Sequence, residues 1–177
     1  MQEHTVIKNC CLERDITRIQ VILNHVIQTS TALYDYEPRS LDQVTAWANQ
    51  KSAQCLPLRG AFDANGELLG FATFGPFRPQ PAYKYTVEHS IYVSQANHGQ
   101  GIATALMTDL IQTAEHDQYH VMVGCIDADN DPSIALHRKF GFEHCGTVKQ
   151  AGFKFGRWLD AAFYQKVLST PMHPVDG

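Results

Sequence analysis

The sequence lacks several features that mark whole classes of protein. Its 177 residues contain no apolar run approaching the ~20 residues that a membrane-spanning helix needs. The 14 Lys and Arg residues are outnumbered by 18 Asp and Glu residues, so no excess of positive charge suggests a nucleic-acid partner. The segment 1–9 is polar and mixed in charge, unlike a secretory leader. We therefore expect a cytoplasmic protein that binds neither membrane nor nucleic acid.

The five cysteines and nine histidines form no recognisable disulfide or metal signature. The sequence has no Cys-x-x-Cys pair, and the odd number of cysteines disfavours a closed disulfide framework. Cys125 lies in the apolar run 121–126, which predicts a small buried side chain rather than a nucleophile. His116 and His120 have helical spacing, but Asp117 stands where a zinc-protease motif has glutamate. We expect no metal site, and we interpret both histidines as solvated residues at a helix end.

Hydrophobic periodicity predicts one strand, two helices and three strands, followed by helix, strand, helix and two strands. The predicted strands are 5–8, 56–63, 68–74, 83–93, 121–126, 143–149 and 160–168. The predicted helices start near Asp15, Leu41 and Ile102, and at a cap on Asp131 with a left-handed exit at Gly141. This order favours one mixed α/β sheet flanked by helices, in a single domain over 1–169. The segment 170–177 is expected to be a flexible tail.

The strand predicted over 83–93 follows a break at Gly75-Pro76, and its side chains alternate between two faces. One face carries Tyr85, Val87, His89, Ile91 and Val93. The other carries Lys84, Thr86, Glu88, Ser90 and Tyr92.

A glycine-rich turn at 98–101 joins this strand to a strongly amphipathic helix. Because Gly99 and Gly101 lack a Cβ atom, backbone N–H groups there can approach a ligand closely. The positive end of the helix dipole points to the same place, so the turn predicts an anion site suited to a pyrophosphate. There is no P-loop, and Thr104 replaces the third glycine of a dinucleotide fingerprint. Coenzyme A is therefore a candidate ligand, and a plain structural turn is the alternative.

The segment His98-Gly99-Gln100-Gly101-Ile102-Ala103 resembles the Gln/Arg-x-x-Gly-x-Gly/Ala pyrophosphate loop of the GNAT superfamily, with His98 at the first position. More of the chain is similar to the phosphinothricin and methionine sulfoximine N-acetyltransferases of that superfamily. The segments that carry this resemblance are 29–31, 37–38, 75–78, Tyr83, 86–93, 130–133, 136–137 and 156–160. The resemblance spans about 6–168 and implies a GNAT-type twisted mixed sheet of about seven strands flanked by about four helices.

The resemblance also implies an acetyl-CoA-dependent enzyme that acetylates the α-amino group of a small amino-acid-like substrate. It implies a homodimer, with Tyr34 and Trp158 near the subunit contact. The cofactor-binding residues that it implies are Ile91, Tyr92 and Val93 through backbone groups, Gly99, Gln100, Gly101, Ile102, Ala103 and Thr104 around the pyrophosphate, and Asn130 and Lys139 near the reactive end. The substrate-binding residues that it implies are Arg78, Pro79, Gln80, Glu88, His89 and Ser90.

Acetyl transfer from a thioester requires a base to deprotonate the attacking amine and a way to release the thiolate. Glu88 is our candidate base, and a structural glutamate paired with a cation is the alternative. His137 is a candidate to protonate the thiolate or to act as a second base, and the alternative is a packed helix histidine. The planar guanidinium of Arg78 can bind a carboxylate or phosphinate through two hydrogen bonds, unless it is only a surface residue.

Two other functions stay open at this point. The enzyme could acetylate a different amine on a polyamine, an aminoglycoside or a protein N-terminus, although Arg78 disfavours a polycation. A non-catalytic acyl-CoA sensor would bind the cofactor without turnover, and the intact Glu88 disfavours that function.

Overall fold

The computed structural model describes residues 5–176, which form one seven-stranded sheet and four α-helices. The strands are β1 (Val6–Asn9), β2 (Leu58–Phe62), β3 (Leu68–Pro76), β4 (Thr86–Val93), β5 (Val121–Asp127), β6 (Glu143–Lys154) and β7 (Arg157–Val167). The helices are α1 (Leu12–Thr29), α2 (Leu41–Ala53), α3 (Ile102–His116) and α4 (Asp131–Lys139), with short 3-10 turns at Pro81–Tyr83 and Gln95–Asn97. The predicted fold class and order of elements are confirmed.

The sheet has the strand order β1-β2-β3-β4-β5-β7-β6, and its one parallel pair is β4 with β5. These two strands pair only from Thr86 to Glu88, opposite Val121 to Val123. Beyond Glu88 each strand keeps its other neighbour, β3 or β7, but the described residues show no further pairing between β4 and β5. The sheet therefore opens in its middle.

Two hydrophobic clusters cover opposite faces of the sheet. The apolar stripe of α3, including Leu106 and Leu110, packs on one face. Helices α1 and α2 pack on the other face, where Ile19 and Val44 meet Phe71. The alternation of β4 divides its side chains between these faces as predicted: Val87 belongs to the α3 cluster, whereas Tyr92 packs against the α1 cluster.

A buried lysine holds the C-terminal end of α1. Lys154 is 4% exposed, and its ammonium donates to the carbonyl oxygens of Ile27, Ser30 and Leu33 at 2.7, 2.9 and 2.6 Å. The last carbonyls of a helix have no intrahelical donor, and a cation suits the negative end of the helix dipole. Thr31, in the loop that follows, donates to the carboxylate of Asp127 at the end of β5.

Helix α1 begins at Leu12, three residues before the predicted start near Asp15. Asp15 is 3% exposed, and its carboxylate accepts the Cys11 N–H at 2.8 Å. The acidic residue therefore caps the first turn from inside the helix rather than preceding it.

The predicted break at Gly75-Pro76 ends β3 two residues later than expected, because the strand continues from Phe74 to Pro76, opposite Val87. Proline is tolerated there because it stands at the last position of the strand. Strand β4 begins at Thr86 instead of Tyr83, since Pro81–Tyr83 form a 3-10 turn.

The predicted cap on α4 is corrected from Asp131 to Asn130, whose side-chain oxygen accepts the Ser133 N–H at 3.2 Å. The left-handed exit at Gly141 is confirmed by its φ of +76°. Strands β6 and β7 are longer than predicted, and β6 contains two irregularities that its apolar pattern does not reveal.

The predicted tail lies partly within the described residues. Thr170 donates to the Tyr119 carbonyl at 2.6 Å, and the Val175 N–H donates to the Tyr85 hydroxyl at 3.1 Å. Flexibility of 170–177 stays a prediction, as does the absence of a secretory leader in 1–9, and 1–4 and 177 lie outside the described residues. No helix within 5–176 has both the length and the apolar character to cross a membrane.

Candidate active site

A cleft of ≈ 870 Å³ opens where β4 and β5 separate. It is bounded by the second half of β4, the second half of β5, the glycine turn, the start of α3, helix α4 and the end of α1. Most of the predicted cofactor-binding residues lie on its walls: Ile91, Tyr92, Val93, Gly99, Gly101, Ala103, Thr104 and Asn130. Separated strands provide something that a complete sheet does not, namely backbone groups that face a ligand.

The hydrogen-bond ladder shows which backbone groups these are. The Ser94 N–H donates to the Leu69 carbonyl at 2.8 Å, on the β3 side of the chain. Because successive residues direct their backbone groups to opposite sides, Ile91 and Val93 direct theirs toward the cleft. Tyr92 directs its backbone groups to β3, so the backbone role predicted for Tyr92 does not fit this ladder. The Val93 carbonyl also accepts from Nε2 of His98 at 3.0 Å.

The glycine turn leaves open space at the N-terminus of α3. Gly99 and Gly101 have φ values of +76° and +81°, and a Cβ atom on either would meet no other atom within 4 Å. Gly101 is the N-cap of α3 and has no side chain with which to cap it. The first N–H groups of the helix therefore point to the cleft without intrahelical acceptors. This arrangement fits a phosphate group.

Two residues of the predicted pyrophosphate loop do not line the cleft. The Gln100 side chain donates to the Ala96 carbonyl at 3.3 Å, and the Ile102 side chain is 3% exposed in the α3 core. The backbones of both residues remain at the turn, so only their main-chain groups can take part in the predicted binding of the pyrophosphate. Lys139 is exposed on the last turn of α4 and is also not part of the cleft wall.

His137 and His89 form a buried pair in the cleft wall. Their Nε2 atoms are 3.0 Å apart, and their rings are inclined by 26° with centroids 4.9 Å apart. The other nitrogen of His137, Nδ1, lies 2.7 Å from the Ser133 carbonyl. Both nitrogens of His137 are thus engaged within the protein. Desolvation lowers the pKa of His137, and desolvation followed by the charge of His137 lowers the pKa of His89 to about 3.

Glu88 lies on the opposite face of β4, at the last position that pairs with β5. Its side chain is half-buried. Desolvation raises the pKa of the Glu88 carboxyl, and the positive charge of Arg78 partly opposes that rise. A carboxylate that is partly desolvated and close to a cation has the character of a general base.

The predicted substrate-binding residues divide into two groups. Arg78 is exposed, lies 4.2 Å over the Phe77 ring and is close enough to influence Glu88, with Pro79 and Gln80 exposed beside it. Ser90 shares the face of Glu88 by strand alternation. His89 does not join them, because the same alternation directs it to the α3 side. His89 and Ser90 nevertheless both line the cleft, and Glu88 adjoins it at the last paired position of β4. The substrate-binding role of this group stays a prediction.

Cys125 is exposed and lines the cleft, which corrects the predicted buried side chain. An apolar run implies burial on both faces, but this half of β5 lies where the sheet opens. Desolvation by the cleft walls, followed by the Glu88 charge, raises the pKa of the Cys125 thiol to about 11. A thiol that stays protonated at neutral pH is a poor nucleophile.

The sequence reasoning missed Gly124 and the cleft wall at the end of α1, which includes His25, Thr29 and Ala32. A Cβ atom at Gly124 would lie 2.5 Å from Nε2 of His137 and 3.0 Å from Nε2 of His89. A lone glycine within an apolar strand is a known signal of close approach, and it was available in the sequence. Within 5–176, no three His, Cys, Asp or Glu side chains converge as a metal site would require.

Comparison with known proteins gives a consistent answer. A sequence profile of the acetyltransferase (GNAT) family matches residues 22–142. An L-methionine sulfoximine/L-methionine sulfone acetyltransferase of Pseudomonas aeruginosa is 41% identical over 151 residues, covering 85% of this chain and 88% of that protein.

Two solved structures share the fold at substantial identity. The crystal structure of an N-acetyltransferase from Staphylococcus aureus is 44% identical with a TM-score of 0.90, covering 93% of this chain and 98% of the other. A phosphinothricin acetyltransferase from Sinorhizobium meliloti in complex with acetyl-CoA is 31% identical with a TM-score of 0.92, covering 98% and 93%. The predicted resemblance and the predicted cosubstrate are confirmed, and the chain belongs to the GNAT family of acetyltransferases, with acetyl-CoA as its acetyl donor.

Proposed function

We propose that the protein acetylates the α-amino group of a small amino-acid analogue of the methionine sulfoximine, methionine sulfone or phosphinothricin type. One observation carries this proposal: Glu88 and Arg78 lie together where β4 and β5 separate, beside the cleft that fits the cofactor. A substrate with an amine and an anionic group matches this pair of side chains in sign. The names of the related acetyltransferases support the same substrate class.

Glu88 is the general base in this proposal. Its half-buried carboxylate binds a proton more readily than an exposed glutamate does, because desolvation raises its pKa. The positive charge of Arg78 opposes that rise in pKa and so favours the ionised form, which is the form that acts as a base. Glu88 takes a proton from the substrate ammonium, directly or through a water molecule, and leaves the free amine for attack.

Arg78 is the anion-binding residue. Its exposed guanidinium donates through Nη1 to the Phe77 carbonyl at 2.8 Å. Its Nε and Nη2 groups can form two hydrogen bonds to a carboxylate, phosphinate or sulfone group. A polyamine or an aminoglycoside would bring positive charge to the same place, so the proposal disfavours those acceptors.

The cleft binds acetyl-CoA in this proposal. The backbone groups of Ile91 and Val93 bind the extended arm of the cofactor, and the turn around Gly99 and Gly101 binds its pyrophosphate. Acetyl-CoA supplies a thioester that is already activated for transfer. Because the Cys125 thiol stays protonated, the acetyl group passes to the amine without an acyl-cysteine intermediate.

The decisive experiment measures CoA release from acetyl-CoA with a panel of acceptors. The panel contains phosphinothricin, methionine sulfoximine, methionine sulfone, common L-amino acids, spermidine and an aminoglycoside. We expect saturable turnover with the first three. Turnover with the polycations alone would overturn the substrate class, and binding of acetyl-CoA without turnover on any acceptor would favour an acyl-CoA sensor.

The protein also acts as a homodimer in this proposal. Five apolar side chains around the β6–β7 hairpin are 47–70% exposed: Tyr36, Val148, Phe153, Phe155 and Trp158. An exposed aromatic patch of this kind is typical of a protein interface. Tyr34, 39% exposed, adjoins the patch at Gly152. Light scattering should give twice the chain mass for the wild type, and a single-chain mass would exclude the dimer.

We assign the reaction to the cytoplasm. All five cysteines are free in the structure, as expected in a reducing compartment. Fractionation of cells that express the tagged protein tests this assignment, and recovery outside the cytoplasmic fraction would contradict it.

A further inference from the structure

The His89–His137 pair is the part of the cleft wall to which the proposed reaction gives no role. His89 is 6% exposed and His137 is 4% exposed, although both border the cleft. Phe142 packs edge-on against both rings, at 5.5 and 5.1 Å. A pair so enclosed is held in one geometry, which allows its protons to be located.

The hydrogen bonds determine the protonation of both rings. Nδ1 of His137 faces the Ser133 carbonyl, which can only accept, so this nitrogen carries a proton. In a neutral ring Nε2 of His137 is then an acceptor. The facing Nε2 of His89, 3.0 Å away, must donate, since two lone pairs at that distance would repel each other.

This assignment also accounts for the buried nitrogen that has no partner. Nδ1 of His89 is the one buried side-chain nitrogen or oxygen in the described residues without a hydrogen-bond partner. With the proton on Nε2, this atom is an unused acceptor, which costs less than a buried unpaired N–H group. Desolvation lowers the pKa of both rings, consistent with a pair that carries no charge.

The pair connects two elements that the sheet leaves apart. His89 lies on β4 just beyond its last pairing with β5, and His137 lies on α4, which follows β5. Gly124 of β5 lies directly beneath them, and a side chain there would collide with both rings. The hydrogen bond therefore crosses the gap that becomes the cleft.

We propose that His89 is a positioning residue: its Nε2–H group, donated to His137, holds helix α4 at a fixed distance from β4 and so sets the width of the cofactor cleft. Ser133 and Leu136, on the cleft side of α4, and Asn130, at its N-cap, take their positions from this bond. The inference rests on the proposal that the cleft holds acetyl-CoA. It also gives His137 a structural bond in place of a free proton for the departing thiolate.

Two substitutions of His89 distinguish the effect of the hydrogen bond from the effect of side-chain size. His89→Gln keeps an N–H donor at a similar reach, whereas His89→Met keeps similar length and removes the donor. Loss of one net hydrogen bond should weaken acetyl-CoA binding about three- to tenfold in His89→Met. His89→Gln should remain within about twofold of the wild type. Isothermal titration calorimetry measures the dissociation constants, and His116→Met, on the exposed end of α3, is the matched control.

The amine substrate gives a second readout. Because α4 borders the cofactor rather than the Glu88 face, His89→Met should leave KM for the amine unchanged while raising KM for acetyl-CoA. Equal binding of acetyl-CoA by His89→Gln, His89→Met and wild type would overturn the inference. If the wild type itself fails to bind acetyl-CoA, the proposed function of the cleft fails instead.

A measurement on the unaltered protein covers the case in which His89→Met does not fold. Long-range 15N–1H correlation spectra distinguish Nδ1–H from Nε2–H histidines. We expect His137 as Nδ1–H and His89 as Nε2–H, both neutral at pH 7. Observation of His89 as Nδ1–H, or of a charged pair, would overturn the inference without any variant.

Discussion

Glu88 and His89 are consecutive residues of one strand, yet they lie in opposite surroundings. Glu88 is on the α1 side, half-buried and close to an exposed arginine. His89 is on the α3 side, 6% exposed and bonded to a second buried histidine. Desolvation raises the pKa of the acid and lowers the pKa of the base, so burial favours the neutral form of both.

Glu88 and His89 differ in the residues that surround them. Arg78 offsets part of the desolvation of Glu88 and keeps its charge available for chemistry, whereas His137 offers His89 only a neutral acceptor. Glu88 can therefore exchange a proton with a substrate, while the His89 side chain is enclosed and serves to hold the cleft wall in place. A carboxyl group acts as a base only while it is ionised, so the neighbouring cation matters for the role proposed for Glu88.

Glu88→Gln should have the largest effect of the substitutions considered, because it removes the proton acceptor and keeps the shape of the side chain. We expect kcat to fall by about 10²–10⁴, the usual contribution of a general base. KM for acetyl-CoA should stay unchanged. Steady-state release of CoA measures both constants.

The control for this substitution is Glu67→Gln, on the turn between β2 and β3. It should match the wild type in both constants. A Glu88→Gln enzyme with undiminished kcat would show that another group accepts the proton.

Gly124→Ala should disrupt the packing around the His89–His137 pair and so lower the stability of the protein. The new methyl group would lie 2.5 Å from Nε2 of His137, closer than any packed carbon approaches. Overpacking of this kind destabilises a core by about 1–3 kcal/mol. Urea unfolding should show a lower midpoint, with Gly75→Ala as the control, since its nearest contact would be an ordinary 3.4 Å. Equal midpoints for the two variants would mean that the histidine pair is not rigid.

Arg78→Gln should have a smaller effect, on the pH dependence of the reaction. Because Arg78 lowers the pKa of Glu88, its loss should raise that pKa. A base acts only when deprotonated, so the acidic limb of kcat/KM should move to higher pH. The effect is small because solvent screens the charge of an exposed arginine. The pH profile measures this shift. Arg138→Gln, on α4, makes the same change in net charge and should leave the limb in place.

The sequence predicts the elements of this fold well because periodicity reports which side chains face a core. The alternation along β4 is one example, since it alone assigns His89 and Glu88 to opposite faces of the strand. The predicted substrate-binding role of both residues stays a prediction, since they direct their side chains to opposite faces. The glycine turn and α3 were predictable for a related reason, since Gly99 and Gly101 have backbone angles that glycine favours.

The separation of β4 from β5 has no such signature. Periodicity indicates a strand but not the partner along each of its edges, so the cleft between the strands was beyond prediction from pattern alone. Cys125 shows the consequence, because its apolar neighbours suggest a core that the opening of the sheet removes. The His89–His137 bond likewise joins residues 48 positions apart in sequence, and no local pattern records it.

The hydrogen bonds from Lys154 to the end of α1 affect the order in which the protein folds. Lys154 and its three carbonyl acceptors are separated by 121–127 residues. During synthesis the N-terminal wall of the cleft leaves the ribosome long before the side chain that secures it, and such distant contacts form slowly. A nascent chain that ends before β6 should therefore have α1 but no fixed loop after it. The ability to capture acetyl-CoA should arise as one of the last events of folding.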